Sequence, residues 1–433
     1  MSNIIIRNAD ILPMTGEREV INNGEIAISA NKILSVGEAG SAPENFQPDK
    51  EIDASGMVAM PGLINCHTHA AMTLLRGYAD DLPLMEWLND KIWPIEGKMQ
   101  PEDIYYGSLL ACLEMIKSGT TTFADMYSEM DRVADAAGES GMRAVLCRGL
   151  IGIAPNGDEA LADGIEFARA YNGVANGRIT TMMGPHAPYT CPPEYLEKVM
   201  AAADELDIGI HIHLAETLTE LEDIKKQHGK TPIQLMDSLG MFKYFTLAAH
   251  CVHVDDEDIK ILADNNVGVV HNPESNMKLA SGISPVNKML KAGVKVGLGT
   301  DGASSNNNLN MMEEMRSAAL LQKVSNMDPT VMPAYQTLEM ATVGGAKALG
   351  MEQEIGMLKQ GLKADIILVD FNAPHLHPRH DNFAHMVYSA HSADVNTVII
   401  NGELVMQNRQ VLTLDEEKIL AEVEKCTKEL LSR

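Results

Sequence analysis

Residues 57–302 alternate apolar β-rich runs with helical stretches, and this alternation restricts the fold more than any other feature of the sequence. The β runs are MVAMPGLIN, TTTFADM, RAVLCRGL, ITTMMGPHAP, GIHIHLAE, FTLAAHCVHV, VGVVHNPESN and VKVGLGTDG. Helical stretches between them include 101–118, 193–207 and 231–239. Eight strands that alternate with helices predict a parallel (β/α)8 barrel of the TIM type, in the α/β class. An open doubly wound sheet is the alternative, but GLGTDG lacks the glycine placement and the acidic partner of a dinucleotide-binding loop.

Both ends of the chain carry shorter β-rich pieces separated by turn residues. The N-terminal pieces are NIIIRNADIL, GEIAIS, NKILSVG and KEIDAS, which read as a small antiparallel sheet. The C-terminal pieces are ADIILVDF and VNTVIINGELVMQNRQVLTL, with Asn401-Gly402 as a hairpin signal. The two sets together predict one small β-sandwich domain formed by residues 1–58 and 365–433, with a C-terminal helix. The barrel is then expected to span residues 59–364.

Charge and composition exclude several classes of partner. The formal net charge of −26 argues against binding to a nucleic-acid backbone, which requires basic patches. No run of about 18 apolar residues predicts a membrane span, and the start MSNIIIRNAD lacks the pattern of a signal peptide. The six cysteines are scattered without a C-x-x-C pair, which is typical of reduced thiols in a cytoplasmic protein.

Polar side chains that can carry chemistry stand at the ends of the predicted barrel strands. They are His67, His69, Asp125, Arg148, His186, His213, Glu216, His250, His271 and Asp301. In TIM-type barrels the catalytic residues lie at the C-terminal ends of several strands. A single polar strand end is unremarkable, but packing does not explain a series this rich in histidine and carboxylate.

Two histidines in PGLINCHTHAAM indicate a metal site. His67 and His69 are two residues apart on one strand, so both side chains can turn to the same point. Together with His213 and Asp301 they would supply three nitrogens and one oxygen, a set suited to zinc or Fe(II). No lysine ends the fourth strand, where a carbamylated lysine would bridge two metals. The prediction is therefore one divalent ion per chain, zinc in the first place and iron as the alternative, which lowers the pKa of a bound water to near 7.

Glu216 has two interpretations of equal weight from the residues alone. It follows His213 by three residues, so its carboxyl group could lie beside the ion and shuttle protons. An acid in the first turn of the helix that begins at AETLTELED is the plain alternative. His211 and His253 share strand faces with His213 and His250 and are interpreted as structural.

Seven segments of the chain resemble the amidohydrolase superfamily. They are PGLINCHTHAAM, TTTFADMY, MGPHAPYTC, HIHLAET, AAHCVHV, HNPESNMKLASG and GTDGASSNNN. More narrowly, they are similar to single-metal adenosine-type deaminases that act on S-adenosylhomocysteine and 5′-methylthioadenosine. The resemblance covers roughly residues 3–410, and the segment WLNDKIWPIEGKM points to this deaminase subgroup.

The resemblance implies three sets of site residues. They are the metal ligands His67, His69, His213 and Asp301, the catalytic residues Glu216, His250 and Asp301, and the substrate-binding residues Glu96, Arg148, His186 and Glu216. In this scheme Glu216 shuttles protons to the purine ring, and His250 steadies the attacking hydroxide and the oxygen of the tetrahedral intermediate. Glu96 binds the ribose hydroxyls, while Arg148 and His186 contact the nucleoside and its 5′ substituent.

The implied reaction is hydrolytic deamination at C6 of the purine. Glu216 protonates N1, hydroxide adds at C6, and Asp301 or Glu216 passes a proton to the amino group, which leaves as ammonia. The product is the corresponding inosine derivative. Members of the subgroup that the chain resembles can carry a second arginine shortly after the first, but here no arginine follows Arg148 before Arg169. Weaker recognition of a homocysteine carboxylate is therefore expected, with smaller 5′ groups such as methylthio or deoxy handled as well or better. The H-x-E and P-C-x-x-C signature of nucleobase deaminases is missing from the sequence.

Two other functions remain open from the sequence. The same barrel and metal serve deaminases of a free base or another ring, such as guanine, cytosine, a pterin or a chloro-triazine, and only Glu96 and its surroundings favour a nucleoside. A non-catalytic scaffold is disfavoured because the full ligand set is present. The expected partner is a small-molecule nucleoside, and the chain is expected to form a homo-oligomer, a dimer or a tetramer. The order of preference among 5′-deoxyadenosine, 5′-methylthioadenosine, S-adenosylhomocysteine and adenosine is open.

Overall fold

Two β-sheets organise the computed structural model, which describes residues 3–433. Five strands precede the barrel: β1 Ile4–Ile11, β2 Ile21–Ser29, β3 Lys32–Glu38, β4 Lys50–Asp53 and β5 Met57–Pro61. The barrel strands are β6 Leu63–Thr68, β7 Thr120–Tyr127, β8 Arg143–Leu150, β9 Ile179–Pro185, β10 Gly209–Leu214, β11 Thr246–His250, β12 Gly268–His271 and β13 Lys295–Leu298. Four strands follow: β14 Ile366–Asp370, β15 Val395–Ile400, β16 Glu403–Gln407 and β17 Gln410–Val411.

Helices fill most of the connections between the strands. They are α1 Leu84–Glu86, α2 Trp93–Glu96, α3 Pro101–Lys117, α4 Met130–Ser140, α5 Gly157–Tyr171, α6 Val174–Gly177, α7 Pro193–Leu206, α8 Leu218–His228, α9 Pro232–Leu239, α10 Asp256–Asp264, α11 Pro273–Lys278, α12 Val286–Lys291, α13 Met311–Asn326, α14 Ala334–Glu339, α15 Gly345–Ala348, α16 Asn382–Tyr388 and α17 Glu416–Ser432. The three helices expected from the sequence are α3, α7 and α9. Across residues 3–433 no helix has both the length and the apolar composition that crossing a membrane requires.

The barrel is built from β6 to β13, each parallel to the next along the chain. Every residue of β6, β7, β11 and β12 is buried, because helices cover one face of the sheet and the packed barrel interior covers the other. The first and last barrel strands, β6 and β13, come together at their C-terminal ends. There the backbone N–H of Asp301, just after β13, donates to the carbonyl oxygen of His67 on β6 at 3.0 Å. This arrangement confirms the predicted TIM-type architecture and brings the C-terminal strand ends to one side of the barrel.

A nine-stranded sheet contains the strands from both chain ends, in the order β17-β16-β15-β14-β5-β1-β2-β3, with β4 beside β1. The antiparallel pair of β5 and β14 joins the N-terminal and C-terminal parts, which confirms the predicted common sheet. The purely antiparallel arrangement predicted for the N-terminal pieces is wrong, because β1 pairs with β4 and β5 in parallel. The connection 39–49 carries the chain back across the sheet before β4, so β4 runs in the same direction as β1. At the predicted hairpin, Asn401 and Gly402 have φ of 53° and 76°, as a type I′ turn between β15 and β16 requires.

The run MVAMPGLIN, predicted as one strand, is divided between the two sheets. Its first part is β5 in the mixed sheet, and its second part begins β6 in the barrel. A Cβ atom at Gly62 would overlap the side chain of Thr121, so glycine is required where the chain passes from one sheet to the other. The predicted domain limit at residues 58 and 59 falls inside β5, and the domain limits stay a prediction.

A buried ion pair connects the barrel to the mixed sheet. Arg143 on β8 is fully buried and bonds Asp365, the residue before β14, through Nε to Oδ2 at 2.8 Å and Nη2 to Oδ1 at 3.1 Å. Asp365 Oδ1 also accepts the backbone N–H of Asn401 at 2.6 Å. A buried pair of this kind is tolerated because its charges are paired and hydrogen-bonded.

Candidate metal centre and active site

The four predicted metal ligands converge at the C-terminal end of the barrel. His67 and His69 lie at the end of β6 and directly after it, His213 lies on β10, and Asp301 follows β13. Asp301 Oδ1 is 3.4 Å from His67 Nε2 and 3.2 Å from His69 Nε2, while His213 Nε2 is 3.4 Å from His69 Nε2. The candidate ligand atoms of the three histidines all lie within 4.8 Å of one another. Such spacings suit donors that each lie about 2 Å from one shared ion.

Backbone carbonyls set the orientation of two of the imidazole rings. His69 Nδ1 is 2.6 Å from Met126 O, and His213 Nδ1 is 2.7 Å from His186 O. Because a carbonyl oxygen only accepts, each Nδ1 carries the hydrogen, and Nε2 presents a lone pair towards the centre.

His67 is held by another histidine. Its Nδ1 is 2.8 Å from Nε2 of His211, whose Nδ1 is 3.6 Å from the sulfur of Cys147. Burial lowers the pKa of His67 to about 4, so the ring is neutral at pH 7. Its Nε2 is buried and makes no hydrogen bond among the described residues. A neutral imidazole with an unpartnered nitrogen, next to a carboxylate and further imidazoles, fits a borderline divalent ion such as zinc or Fe(II).

Asp301 is fixed by two serines. Its Oδ2 accepts hydrogen bonds from Ser275 Oγ at 2.6 Å and from Ser305 Oγ at 2.8 Å. Oδ1 is thereby turned towards His67 and His69. Asp301 has φ of 61°, in the left-handed region that residues other than glycine seldom adopt. Backbone strain of this kind persists where neighbouring contacts hold the residue, as the serines do here.

Glu216 and His250 stand beside this group. His250 Nε2 is 3.9 Å from Glu216 Oε2, and His250 Nδ1 is 2.9 Å from Asn276 Oδ1. Burial raises the pKa of Glu216, which favours the protonated form of its carboxyl group relative to an exposed glutamate. The candidate ligand atoms of His67, His250 and Asp301 also lie within 4.8 Å of one another. His250 is thus close enough to ligate an ion as well, a possibility that the sequence analysis did not include.

A cavity of about 420 Å³ opens onto this cluster. Its wall includes Glu216 and His250 together with all three further residues predicted to bind substrate, namely Glu96, Arg148 and His186. Apolar side chains supply much of the remaining wall, including Trp87, Leu88 and Trp93. A concave, mostly apolar site with a few convergent polar groups is the usual form of a small-molecule binding site.

Comparisons with known proteins identify the family. Residues 58–405 match the model of the amidohydrolase family. A 5-methylthioadenosine/S-adenosylhomocysteine deaminase from Pelotomaculum thermopropionicum is 61% identical over 433 residues, which cover 100% of both chains. A protein of the same name from Desulforudis audaxviator is 60% identical over 428 residues, which cover 99% of each chain. This chain belongs to the amidohydrolase family, among the 5-methylthioadenosine/S-adenosylhomocysteine deaminases.

Several solved structures share the fold of this chain. The crystal structure of an adenosine deaminase from Xanthomonas campestris with bound zinc has a TM-score of 0.95 and 34% identity, and covers 99% of each chain. Atrazine chlorohydrolase from Arthrobacter aurescens complexed with zinc has a TM-score of 0.90 at 24% identity, over 98% of this chain and 100% of that one. Guanine deaminase from E. coli has a TM-score of 0.82 at 22% identity, over 94% and 100%. The last two similarities concern the fold alone.

Glu96 is partly buried in the wall of the cavity of this amidohydrolase. It ends α2 and lines the cavity, where Tyr127 Oη donates to Glu96 Oε1 at 2.5 Å. Burial raises the pKa of Glu96, and the bond from Tyr127 opposes that rise. Sequence reasoning missed Tyr127, although it is the last residue of β7 and thus stands at a strand end like the other site residues.

Two further strand-end residues do not line the cavity. Asp125 Oδ1 accepts the backbone N–H of Ala70 at 2.6 Å, so it fixes the chain directly after His69. His271 is fully buried, and neither of its ring nitrogens makes a hydrogen bond within residues 3–433. Strand-end placement therefore brings most of the predicted residues to the cavity wall, but not these two or the fully buried His67.

Proposed function

We propose that the protein is a metal-dependent hydrolase that converts adenosine-type nucleosides to inosine derivatives and ammonia. The proposed substrates are 5′-methylthioadenosine, S-adenosylhomocysteine and 5′-deoxyadenosine. One observation carries the proposal: a single cavity is lined by three members of the His/Asp cluster, by Glu216 and His250 beside it, and by Glu96. The three members are His69, His213 and Asp301. The names of the relatives that share about three fifths of the sequence support the same substrate class.

The proposed cofactor is one divalent ion, zinc with iron as the alternative. His67, His69, His213 and Asp301 would hold it, and their lone pairs and charge suit such an ion. When bound, the ion supplies Lewis-acid chemistry that makes water a nucleophile at neutral pH.

The side chains of the pocket move the protons. Glu216 gives a proton to N1 of the purine, which makes C6 electrophilic, and Asp301 takes a proton from the attacking water. His250 faces the oxygen that develops charge at C6. Asp301 then passes the proton taken from water to the amino group, directly or through Glu216, and the C6–N bond breaks to release ammonia. Glu216 regains a proton from the hydroxyl at C6, which becomes the carbonyl of the 6-oxopurine. The buried position of Glu216, which raises its pKa, supports its function as an acid.

The rest of the cavity suits a nucleoside. Trp87, Leu88 and Trp93 give an apolar surface for an uncharged ring. Glu96 is proposed to accept hydrogen bonds from the ribose hydroxyls, and Arg148 and His186 to contact the 5′ substituent. A free base would leave the carboxylate of Glu96 without these donors, which disfavours guanine or cytosine as substrate. A cytoplasmic location and a homo-oligomeric state, dimer or tetramer, stay predictions from the sequence.

Replacement of Glu216 by glutamine tests the proposed mechanism. The amide keeps the size of the side chain but cannot cycle a proton, so kcat should fall by about 10²–10⁴ while metal content, measured by elemental analysis, stays unchanged. The matched control is Glu222→Gln, which changes an exposed glutamate on α8, the helix that follows the loop of Glu216. If metal is lost together with activity, Glu216 is a ligand and the assignment is wrong. If activity persists, Glu216 is only an acid at the start of a helix.

A further inference from the structure

Glu220 is a buried carboxylate that bonds the backbone of the loop carrying Glu216. It lies in the first turn of α8 and is only 4% exposed. One carboxylate oxygen accepts the backbone N–H of Ala215 at 2.9 Å, and the other accepts the N–H of Glu216 at 2.8 Å. A carboxylate buried this deeply is costly unless hydrogen bonds compensate it, and these two amides supply them.

The same loop is held from its other side by the segment after β11. Ala215 has φ of 53°, a left-handed conformation that alanine seldom adopts. Its carbonyl oxygen accepts N–H groups from Val252 at 3.0 Å and from His253 at 2.9 Å. The segment after β11 therefore holds the carbonyl of Ala215, and Glu220 holds the amides of Ala215 and Glu216.

The bonds of Glu220 differ from those of an ordinary acid in the first turn of a helix. Thr217 is the N-cap of α8 and accepts the backbone N–H of Glu220 on its hydroxyl at 3.1 Å. In a capping box, the acid at this position would bond the N–H of the capping residue itself. Here the side chain reaches beyond Thr217 to the two residues before it. Burial raises the pKa of Glu220 to about 7, and the two backbone bonds oppose that rise.

We propose that Glu220 is a positioning residue for the deamination, which aims the carboxyl group of Glu216 at the purine ring by bonding the amides of Ala215 and Glu216. The inference rests on the proposed function of Glu216. A displacement of about 1 Å at a reacting group can cost roughly 10²-fold in rate. Because Glu220 holds the loop through two amide bonds, we expect the loss of one of them to displace the carboxyl group of Glu216 by a distance of that order.

A double-mutant cycle tests the inference. Glu220→Gln keeps the size of the side chain but leaves one acceptor, so one loop amide loses its partner. In the wild-type background kcat should fall by about 10- to 100-fold with KM nearly unchanged. In the Glu216→Gln background the same change should have almost no effect, because residues that act as a unit are non-additive. Equal losses in both backgrounds would mean that Glu220 acts only on stability, and would overturn the proposal.

Hydrogen exchange provides a readout that does not depend on activity. The amides of residues 214–216 should exchange faster in Glu220→Gln than in the wild type or in the exposed control Glu222→Gln. Unchanged exchange would refute the bonding of the loop by Glu220, whereas a wild-type protein without deaminase activity would refute the proposed function instead. If Glu220→Gln fails to fold, Glu220→Asp takes its place in both measurements. Aspartate keeps both oxygens on a shorter side chain, so we expect a smaller loss of kcat in the wild-type background and almost none in the Glu216→Gln background. Equal losses of kcat in the two backgrounds would again contradict the proposal.

Discussion

Replacing Glu96 by alanine should remove the preference for ribonucleosides over 2′-deoxyribonucleosides. Glu96 lines the cavity at the end of α2, with Tyr127 bonded to Oε1 at 2.5 Å. That bond orients the carboxylate and leaves its remaining lone pairs for the 2′ and 3′ hydroxyls of a ribose. The substitution removes the acceptor but leaves the His/Asp cluster intact.

The magnitude follows from the number of bonds that change. A hydrogen bond to a charged group contributes about 1.5–3 kcal/mol, which corresponds to roughly 10- to 160-fold in kcat/KM. The wild type should therefore prefer adenosine to 2′-deoxyadenosine by roughly that factor, since the deoxynucleoside loses one donor, and free adenine should be poorer still. In Glu96→Ala the ratio should fall to about 1–3 because neither substrate finds the acceptor.

The assay is kcat/KM for adenosine and 2′-deoxyadenosine in the wild type and in Glu96→Ala, with metal content as a check. Glu102→Ala, which removes an exposed acid at the start of α3, is the matched control and should keep the wild-type ratio. A ratio that is unchanged in Glu96→Ala would make Glu96 a bystander. Deamination of a free base would then again be an alternative function for this protein.

Three other predictions concern the surroundings of the site. His211→Phe removes the partner of His67 Nδ1 and should weaken metal affinity by about 10- to 100-fold; equal affinity in a chelator competition would contradict this. Asp365→Ala leaves Arg143 buried and unpaired and should cost about 3–5 kcal/mol, seen as a lower denaturant midpoint; an unchanged midpoint would refute it. All six cysteines are buried, and burial raises the pKa of Cys112 to about 12. The folded protein should therefore not react with a thiol reagent at pH 8 until it unfolds, and fast reaction of the folded protein would contradict this prediction.

The barrel and the cluster at its C-terminal end were predictable from the sequence for a common reason. A parallel strand covered on both faces needs an apolar run, and the polar residue that follows such a run stands at the end where the strands meet. His213, His250 and Asp301 were therefore found without any knowledge of their neighbours. The resemblance to deaminases added Glu96, which no strand end marks.

Other features depend on contacts between distant parts of the chain. The division of MVAMPGLIN at Gly62 reflects the side chain of Thr121, which no local pattern reveals. Tyr127 becomes a partner of Glu96 only because the segment after β6 folds over the end of β7. Glu220 has the sequence pattern of an acid at a helix start, and only the backbone path of the preceding loop turns it towards Ala215 and Glu216.

An ammonia-release screen over nucleosides and free bases tests the proposed function most directly. The metal-loaded protein is given 5′-methylthioadenosine, S-adenosylhomocysteine, 5′-deoxyadenosine, adenosine, guanine and cytosine, with Glu216→Gln as the control for side reactions. Release of ammonia from the adenosine derivatives, with formation of the matching inosine derivatives and none from the free bases, is the predicted result. Turnover of guanine or cytosine while every adenosine derivative is refused would contradict it.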